Sequence, residues 1–339
     1  MMINSQLILG DFEKCKAPDL SIVIPTYGRA EYLEKAIDSA LSQKGSGCTY
    51  EVLVVSNDPN DSLERIVAKY KNVPNFYLYR NETNIGMVGN SNRCAFLARG
   101  RYIAFLHDDD YLLENYIGLI ERYVLGKEEV KCFITGRYIF FEKDCIEYRN
   151  AVKKSRLRKL YFIPDFYRKK VKRILPEHCV KADNNCYFSP SCGTVFEKKA
   201  FEEVGGFNDD IVYTWDWDFF LNFNLKFDIY TCTEMCAVYR MAANASMRSE
   251  VKFDFYDYKR NQYMKFVKDN RICEKFVKKY ENEMINSMYV QWSDAISEEL
   301  EKRGEKLPTV DYKRMKWFKL RKMLYYYNHN LDIQRLMKR

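Results

Sequence analysis

The chain has 339 residues, 47% hydrophobic, 16% aromatic and 30% charged, with a formal net charge of +8. That composition fits one large or two ordinary globular domains and excludes intrinsic disorder, collagen and coiled coil. No run approaches the ~20 uninterrupted apolar residues of a spanning helix, and Met1 to Cys15 lacks a secretory signal's basic-then-apolar order. The eleven scattered cysteines fit reduced thiols, so a cytoplasmic chain is expected.

Leu20 to Ile24 is a β-branched apolar run closed by Pro25 and reads as a buried strand. From Ala30, apolar residues return at Leu33, Ala36, Ile37, Ala40 and Leu41, the spacing of a helix with one buried face. Glu51 to Val55 is a second strand, followed by a turn over Asn57 to Asp61. Ser62 to Tyr70 reads as helix, Asn75 to Tyr79 as strand and Met87 to Ala98 as helix. Tyr102 to Leu106 is another strand, ending abruptly in His107-Asp108-Asp109-Asp110. This alternation predicts an α/β fold, a mostly parallel sheet with helices on both faces. Ligands of such sheets bind past the carboxyl ends of the strands. Pro25 to Arg29, Ser56 to Asp61 and His107 to Asp110 are therefore the informative segments.

Beyond Leu112 a helix to Val124 and a strand over Cys132 to Phe141 lead into a basic stretch. Residues 153–173 hold ten Lys/Arg against Asp165 alone, and read as a surface insertion or mobile element spanning 150–180. Residues 186–245 carry Gly193, Gly205, Gly206 and an aromatic cluster from Tyr213 to Phe220. After residue 251 Gly and Pro nearly vanish and the period is helical, predicting a helical subdomain over 246–339. Near its end Lys313, Arg314, Lys316, Lys319, Arg321 and Lys322 interleave with Trp317, Phe318, Leu320 and Leu324. That run suits either peripheral contact with an anionic membrane or a solvated face; no motif points to nucleic acid.

Three adjacent aspartates past a buried strand read as a site for Mg²⁺ or Mn²⁺, or as an acidic turn capping the next helix. The chain has no G-x-x-x-x-G-K-[ST] and no G-x-G-x-x-G, so a metal would have to hold the phosphates of a nucleotide-diphosphate ligand. Cys232 with Cys236, or Cys179, Cys186 and Cys192, lack the spacing and histidines of a zinc site. His178 and His329 have no recognisable partner.

Four runs, LSIVIPTYGRAEYLEKAIDSALSQ, YEVLVVSNDPNDS, NETNIGMVGNSNRCAFLARGRYIAFLHDDDYL and CGTVFEKKAFEEVGGFNDDIVYTWDWDFFLN, together resemble the family 2 glycosyltransferases of GT-A fold. The resemblance covers residues 20 to 245. It implies a glycosyltransferase domain over 1–245, with a nucleotide-binding half at 18–112 and an acceptor-side half at 186–245. By the same resemblance Pro25, Thr26, Tyr27 and Arg29 contact base and ribose, Asn57 or Asp58 reads the base, and Asn84, Gly86 and Asn92 line the nucleotide pocket. Asp108 lies near the ribose, Asp109 is the direct metal ligand and Asp110 supports it. Asp216, ten residues past Gly205-Gly206-Phe207, matches the catalytic base, whose role needs a partly desolvated carboxylate. As a plain structural alternative, Thr214 or Asp216 caps a helix through Phe219 to Leu225. Gly193, Trp215, Trp217 and Asp218 fall on the donor or acceptor sugar side. Arg240, after Tyr239, either holds the diphosphate or forms a structural ion pair. His107 and Trp215 stand where many relatives carry Asp and Glu.

The resemblance thus implies an inverting transferase moving a sugar from a UDP-linked donor to a glycan or lipid-linked acceptor in bacterial polysaccharide synthesis. Two alternatives stand beside it, a catalytically degenerate nucleotide-binding scaffold and a sugar nucleotidyltransferase. Donor sugar, acceptor, linkage and oligomeric state are not encoded in any motif.

Overall fold

The computed structural model describes residues 4–11, 17–45, 47–142, 171–183, 191–241, 248–329 and 334–337. Most of the basic stretch lies outside these residues.

The first half alternates as its sequence period demands. The elements are β1 (Ser5–Leu9), β2 (Leu20–Thr26), α1 (Ala30–Leu41), β3 (Tyr50–Ser56), α2 (Glu64–Tyr70), β4 (Phe76–Asn81), α3 (Gly86–Leu97) and β5 (Tyr102–Phe105). Strands β4, β3, β2 and β5 run parallel and side by side. Both their faces are covered, which is why they read as unbroken apolar runs. Ile22, Ile24, Val52 and Val54 pack on one face with Leu33, Ala36, Ile37 and Ala40 of α1. Val23, Leu53, Val55 and Phe105 pack on the other with Val88, Cys94 and Ala95 of α3. Each such buried valine, leucine or isoleucine side chain stabilises the fold by ~1.5–3 kcal/mol.

The second half adds β6 (Tyr111–Leu112), α4 (Tyr116–Tyr123), β7 (Cys132–Phe141), β8 (Val171–Ile174), α5 (Pro176–Lys181), β9 (Thr194–Glu197), α6 (Lys198–Glu203), α7 (Trp215–Lys226) and β10 (Ile229–Met241). Strand β9 pairs antiparallel with both β5 and β7, and β10 runs parallel to β7. The sheet order is β1-β4-β3-β2-β5-β9-β7-β10-β6. Gly193, just before β9, has φ +80, and a Cβ there would come within 2.4 Å of Thr135 Oγ1. Only glycine lets the chain cross β7 so closely.

The tail comprises α8 (Ser249–Tyr258), a π-helical turn (Lys259–Tyr263), α9 (Met264–Asp269), α10 (Glu274–Gln291), α11 (Ser293–Lys302), α12 (Tyr312–His329) and β11 (Gln334–Met337). It is the helical region that the period predicts, and it packs against the sheet. Strand β11 pairs parallel with β7, and Trp217 of α7 stacks on Phe255 of α8 at 4.8 Å. A buried carboxylate joins the two parts. Asp183, after α5, accepts from Lys259 Nζ at 2.7 Å and from Lys322 Nζ at 3.3 Å. None of the described helices is long and apolar enough to cross a membrane. The eight cysteines among the described residues are free thiols.

Candidate active site

The sheet order reverses at β2, with β3 and β4 to one side and β5 to the other. A ligand crevice is expected between those two strand ends, and a cleft of about 470 Å³ lies there. Pro25, Thr26, Tyr27 and Arg29 line it from the end of β2, and His107, Asp108 and Asp109 from the end of β5. Thr26 Oγ1 donates to Asp108 Oδ2 at 2.8 Å. Arg29 Nη1 lies 2.7 Å from Asp109 Oδ2 and 3.4 Å from Asp108 Oδ1. Burial, reinforced by Asp109, pushes the Asp108 carboxyl up to about 6, while Arg29 and Thr26 pull it down.

The third aspartate points elsewhere. Asp110 is buried, and its Oδ1 accepts the backbone N–H of Arg240 at 2.9 Å. Burial first, and then Asp109, hold this carboxyl well above the usual carboxylate range. Arg240 itself does not line the cleft. Its Nε donates to the Asp109 carbonyl at 2.9 Å, Nη1 donates to Glu142 Oε1 at 2.9 Å, and the guanidinium covers the Tyr32 ring. Asp110 and Arg240 therefore brace the aspartate turn from behind, away from the proposed metal and diphosphate.

Asn57, Asn84 and Gly86 all line the cleft. The amide of Asn57 is fully engaged by the protein. Its Nδ2 donates to Asn84 Oδ1 at 2.8 Å and Gly86 O at 3.1 Å, and its Oδ1 accepts from Asn81 Nδ2 at 3.0 Å and Ile85 N at 3.1 Å. Asn57 thus shapes the loop before α3, while Asp58, outside the cleft, makes a turn with Asn60 N. Asn92 also lies outside it. Its Nδ2 donates to Phe207 O at 2.8 Å and Asp209 Oδ1 at 3.0 Å, and its Oδ1 accepts from Phe207 N at 2.9 Å.

That clamp explains the Gly205-Gly206-Phe207 turn. Both glycines have positive φ, and a Cβ on Gly206 would approach Asn92 Oδ1 to 3.1 Å. The turn delivers Phe207 into the core, 4.4 Å from Trp215 in an edge-to-face contact. Trp215 opens α7, and both it and Asp216 face the cleft. Asp216 Oδ1 accepts the N–H of Trp217 at 2.9 Å, whereas the Thr214 side chain makes no capping bond. Trp217 and Asp218 turn away toward the tail, Trp217 onto Phe255 and Asp218 Oδ1 onto the Tyr258 hydroxyl at 3.3 Å. Gly193 holds the β7 crossing and does not reach the cleft either.

Several lining residues were given no role in the site from sequence. Asn90 follows Gly86, and Ser91 follows Met87, by four residues, a spacing that stacks each above its partner on α3. Ser191 meets His107 Nε2 at 2.8 Å. Met87, Tyr213 and Tyr239 complete the walls, with Val251 and Phe255 supplied by α8 of the tail. The i, i+4 spacing of the last two was legible, but nothing local indicates that α8 packs on α7.

Among the described residues no group of three or more His, Cys, Asp or Glu is placed to hold a metal ion. Asp109 nonetheless offers a hard carboxylate to the cleft. One such ligand suits Mg²⁺ or Mn²⁺ when substrate phosphates and waters complete the shell.

Residues 21–247, two thirds of the chain, match glycosyl transferase family 2. The chain belongs to that family. Over 122 residues this family 2 protein is 30% identical to the poly(ribitol-phosphate) beta-N-acetylglucosaminyltransferase TarP of Staphylococcus aureus, covering 35% of this chain and 36% of TarP. S. aureus TarS 1–349, solved with UDP-GlcNAc, superposes with TM-score 0.51 at 16% identity over 80% of this chain and 71% of its own. The mannosyltransferase PcManGT of Pyrobaculum calidifontis, in complex with GDP-Man and Mn²⁺, gives 0.54 at 13% identity over 94% and 89%. These likenesses carry the fold, a GT-A α/β sheet with a C-terminal helical region. The family 2 chain spans 36% to 63% of the length of four curated relatives it matches.

Proposed function

We propose that this family 2 chain is an inverting glycosyltransferase that takes a sugar from a UDP-linked donor and passes it to a hydroxyl of a glycan or lipid-linked acceptor. The observation that supports it is one cleft lined by Asp109 from the end of β5 and by Asp216 from the start of α7. UDP is preferred because TarS was solved with UDP-GlcNAc and TarP is an N-acetylglucosaminyltransferase.

In this reading Pro25 to Tyr27 and the Asn84–Gly86 loop bind the nucleotide. Asp109 would hold a divalent cation, Mn²⁺ or Mg²⁺, which when bound neutralises charge on the leaving diphosphate. Arg29 is within reach of the same phosphates once it leaves Asp109. Asp216 takes the proton of the acceptor hydroxyl as its oxygen bonds to the anomeric carbon. The bond from that carbon to the diphosphate oxygen breaks on the opposite side, its electron pair leaving with the nucleotide, so the configuration inverts. Trp215 supplies an apolar wall that excludes water and meets a sugar ring. Asp110, Arg240 and Asn92 hold these groups in place from outside the cleft, and Asn57, on its wall, shapes the loop before α3.

A panel of nucleotide-sugars, followed by free nucleotide released with and without Mn²⁺, tests the proposal. Metal-dependent release from one donor, lost in Asp109→Ala, is expected and would name the sugar. If neither hydrolysis nor transfer to membrane-extract acceptors occurs, although calorimetry detects UDP binding, the scaffold reading replaces this one.

A further inference from the structure

The outward face of α12 has a composition that the reaction does not use. Met315 and Phe318 turn inward to the tail's core, and Lys322 reaches in to Asp183. Arg314 and Arg321 hold the flanks, Arg314 on Glu283 and Arg321 over the rings of Phe276 and Tyr280. A helical period then leaves Tyr312, Trp317, Leu320, Met323 and Leu324 off the inward face, with Trp317, Leu320 and Leu324 opposite it and Tyr312 and Met323 on a flank. Their exposures are 70%, 65%, 41%, 54% and 49%. Lys313, Lys316 and Lys319 are exposed among them. Large apolar side chains clustered on a solvent face mark a contact surface.

Charge selects the occupant. Residues 312–329 carry six Lys/Arg and no Asp or Glu. A second copy of the chain pairing through this helix about a two-fold axis would set that positive charge against itself. Tryptophan and leucine with lysines interleaved are instead the chemistry of a helix lying in a lipid headgroup layer. We infer that α12 is a docking surface for an anionic bilayer, with Trp317, Leu320, Met323 and Leu324 entering the interface and Lys313, Lys316 and Lys319 meeting the headgroup phosphates. The opposite face stays on the protein, so docking requires no unfolding of the tail.

The test sediments the full chain with phosphatidylcholine vesicles and with equimolar phosphatidylcholine–phosphatidylglycerol vesicles across a salt series. Binding is expected only to the anionic vesicles, weakening as salt rises. Neutralising Lys313, Lys316 and Lys319 to Gln should weaken it by roughly fivefold per residue. Trp317→Ser with Leu320→Ser should abolish it while the melting temperature, set by the inward face, stays put. The inference fails if the chain ignores anionic vesicles, or binds both kinds equally. It also fails if sedimentation velocity shows a dimer that Trp317→Ser dissolves, which would make the occupant a second copy.

Discussion

The guanidinium of Arg29 lies 2.7 Å from the carboxylate of Asp109 and bridges it to Asp108. One cation already offsets half the charge of the two acids, so a divalent ion recruited to Asp109 competes with a built-in rival. Arg29→Gln is expected to tighten Mn²⁺ binding to the nucleotide-free chain by up to roughly fivefold, the worth of a partly exposed ion pair. Calorimetric titration with MnCl₂ measures this. Unchanged or weaker affinity would mean that the guanidinium and the metal do not share a site.

Asp216→Asn keeps the side chain's size and its oxygen acceptor for Trp217 N–H but removes the proposed base. Transfer should slow by ~10²–10⁴, the usual worth of a general base. UDP affinity should be unchanged, because Asp216 faces the acceptor side in the proposed mechanism. Parallel loss of UDP binding would place the residue in the nucleotide pocket instead.

Asn92 ties α3 to the turn that seats Trp215 through both the N–H and the carbonyl of Phe207. Asn92→Ala leaves those groups unpaired next to a packed aromatic cluster. A loss of ~1–3 kcal/mol in urea unfolding is expected. If stability is untouched and only nucleotide affinity falls, Asn92 contacts the ligand directly.

For Asp110 two substitutions separate charge from hydrogen bonding. Asn retains an oxygen for the Arg240 N–H and should leave stability nearly as it is. Ala strands that buried donor at a cost of ~1–3 kcal/mol. Equal damage from both, read by thermal melting, would show that the carboxyl group itself is required.

Asp183 holds two lysines, one of them, Lys259, fully buried. Removing one partner of such a cluster leaves uncompensated charge, so Asp183→Asn should cost ~3–5 kcal/mol. Replacing Asp183 with Leu and Lys259 with Met together should cost less than Asp183→Asn alone. The opposite order in denaturant unfolding would overturn the assignment of this pair as the tail's anchor.

The first half of the fold was legible because parallel strands buried on both faces announce themselves as apolar runs. Leu20 to Ile24, Glu51 to Val55 and Tyr102 to Leu106 all fall within a strand or at its edge, and Cys132 to Phe141 matches β7 end to end. The cleft residues at the ends of β2 and β5 were legible for the same reason, since strand ends fix where loops emerge. What sequence spacing does not give is the direction a side chain takes. Asp109 and Asp110 are neighbours in the chain, yet one faces the cleft and the other supports β10. Trp215 and Trp217 likewise part company, because two positions along a helix is more than half a turn. Asn92 was named for a ligand contact and Arg240 for the diphosphate or a structural ion pair; Asn92 meets the backbone of Phe207, and Arg240 pairs with Glu142 and the Asp109 carbonyl, partners that only the tertiary structure brings near.

Val251 and Phe255 form one wall of the cleft, yet both lie beyond residue 247, where the family match ends. The cavity is thus assembled from the family 2 segment and from the helical tail that follows it. A chimera that swaps only the helical tail would keep Pro25 to Arg29, Asp109 and Asp216 while recasting the surface opposite them. Under the proposed function, acceptor preference should then travel with the graft and donor preference stay with the host, which makes the boundary near residue 247 the splice point to test.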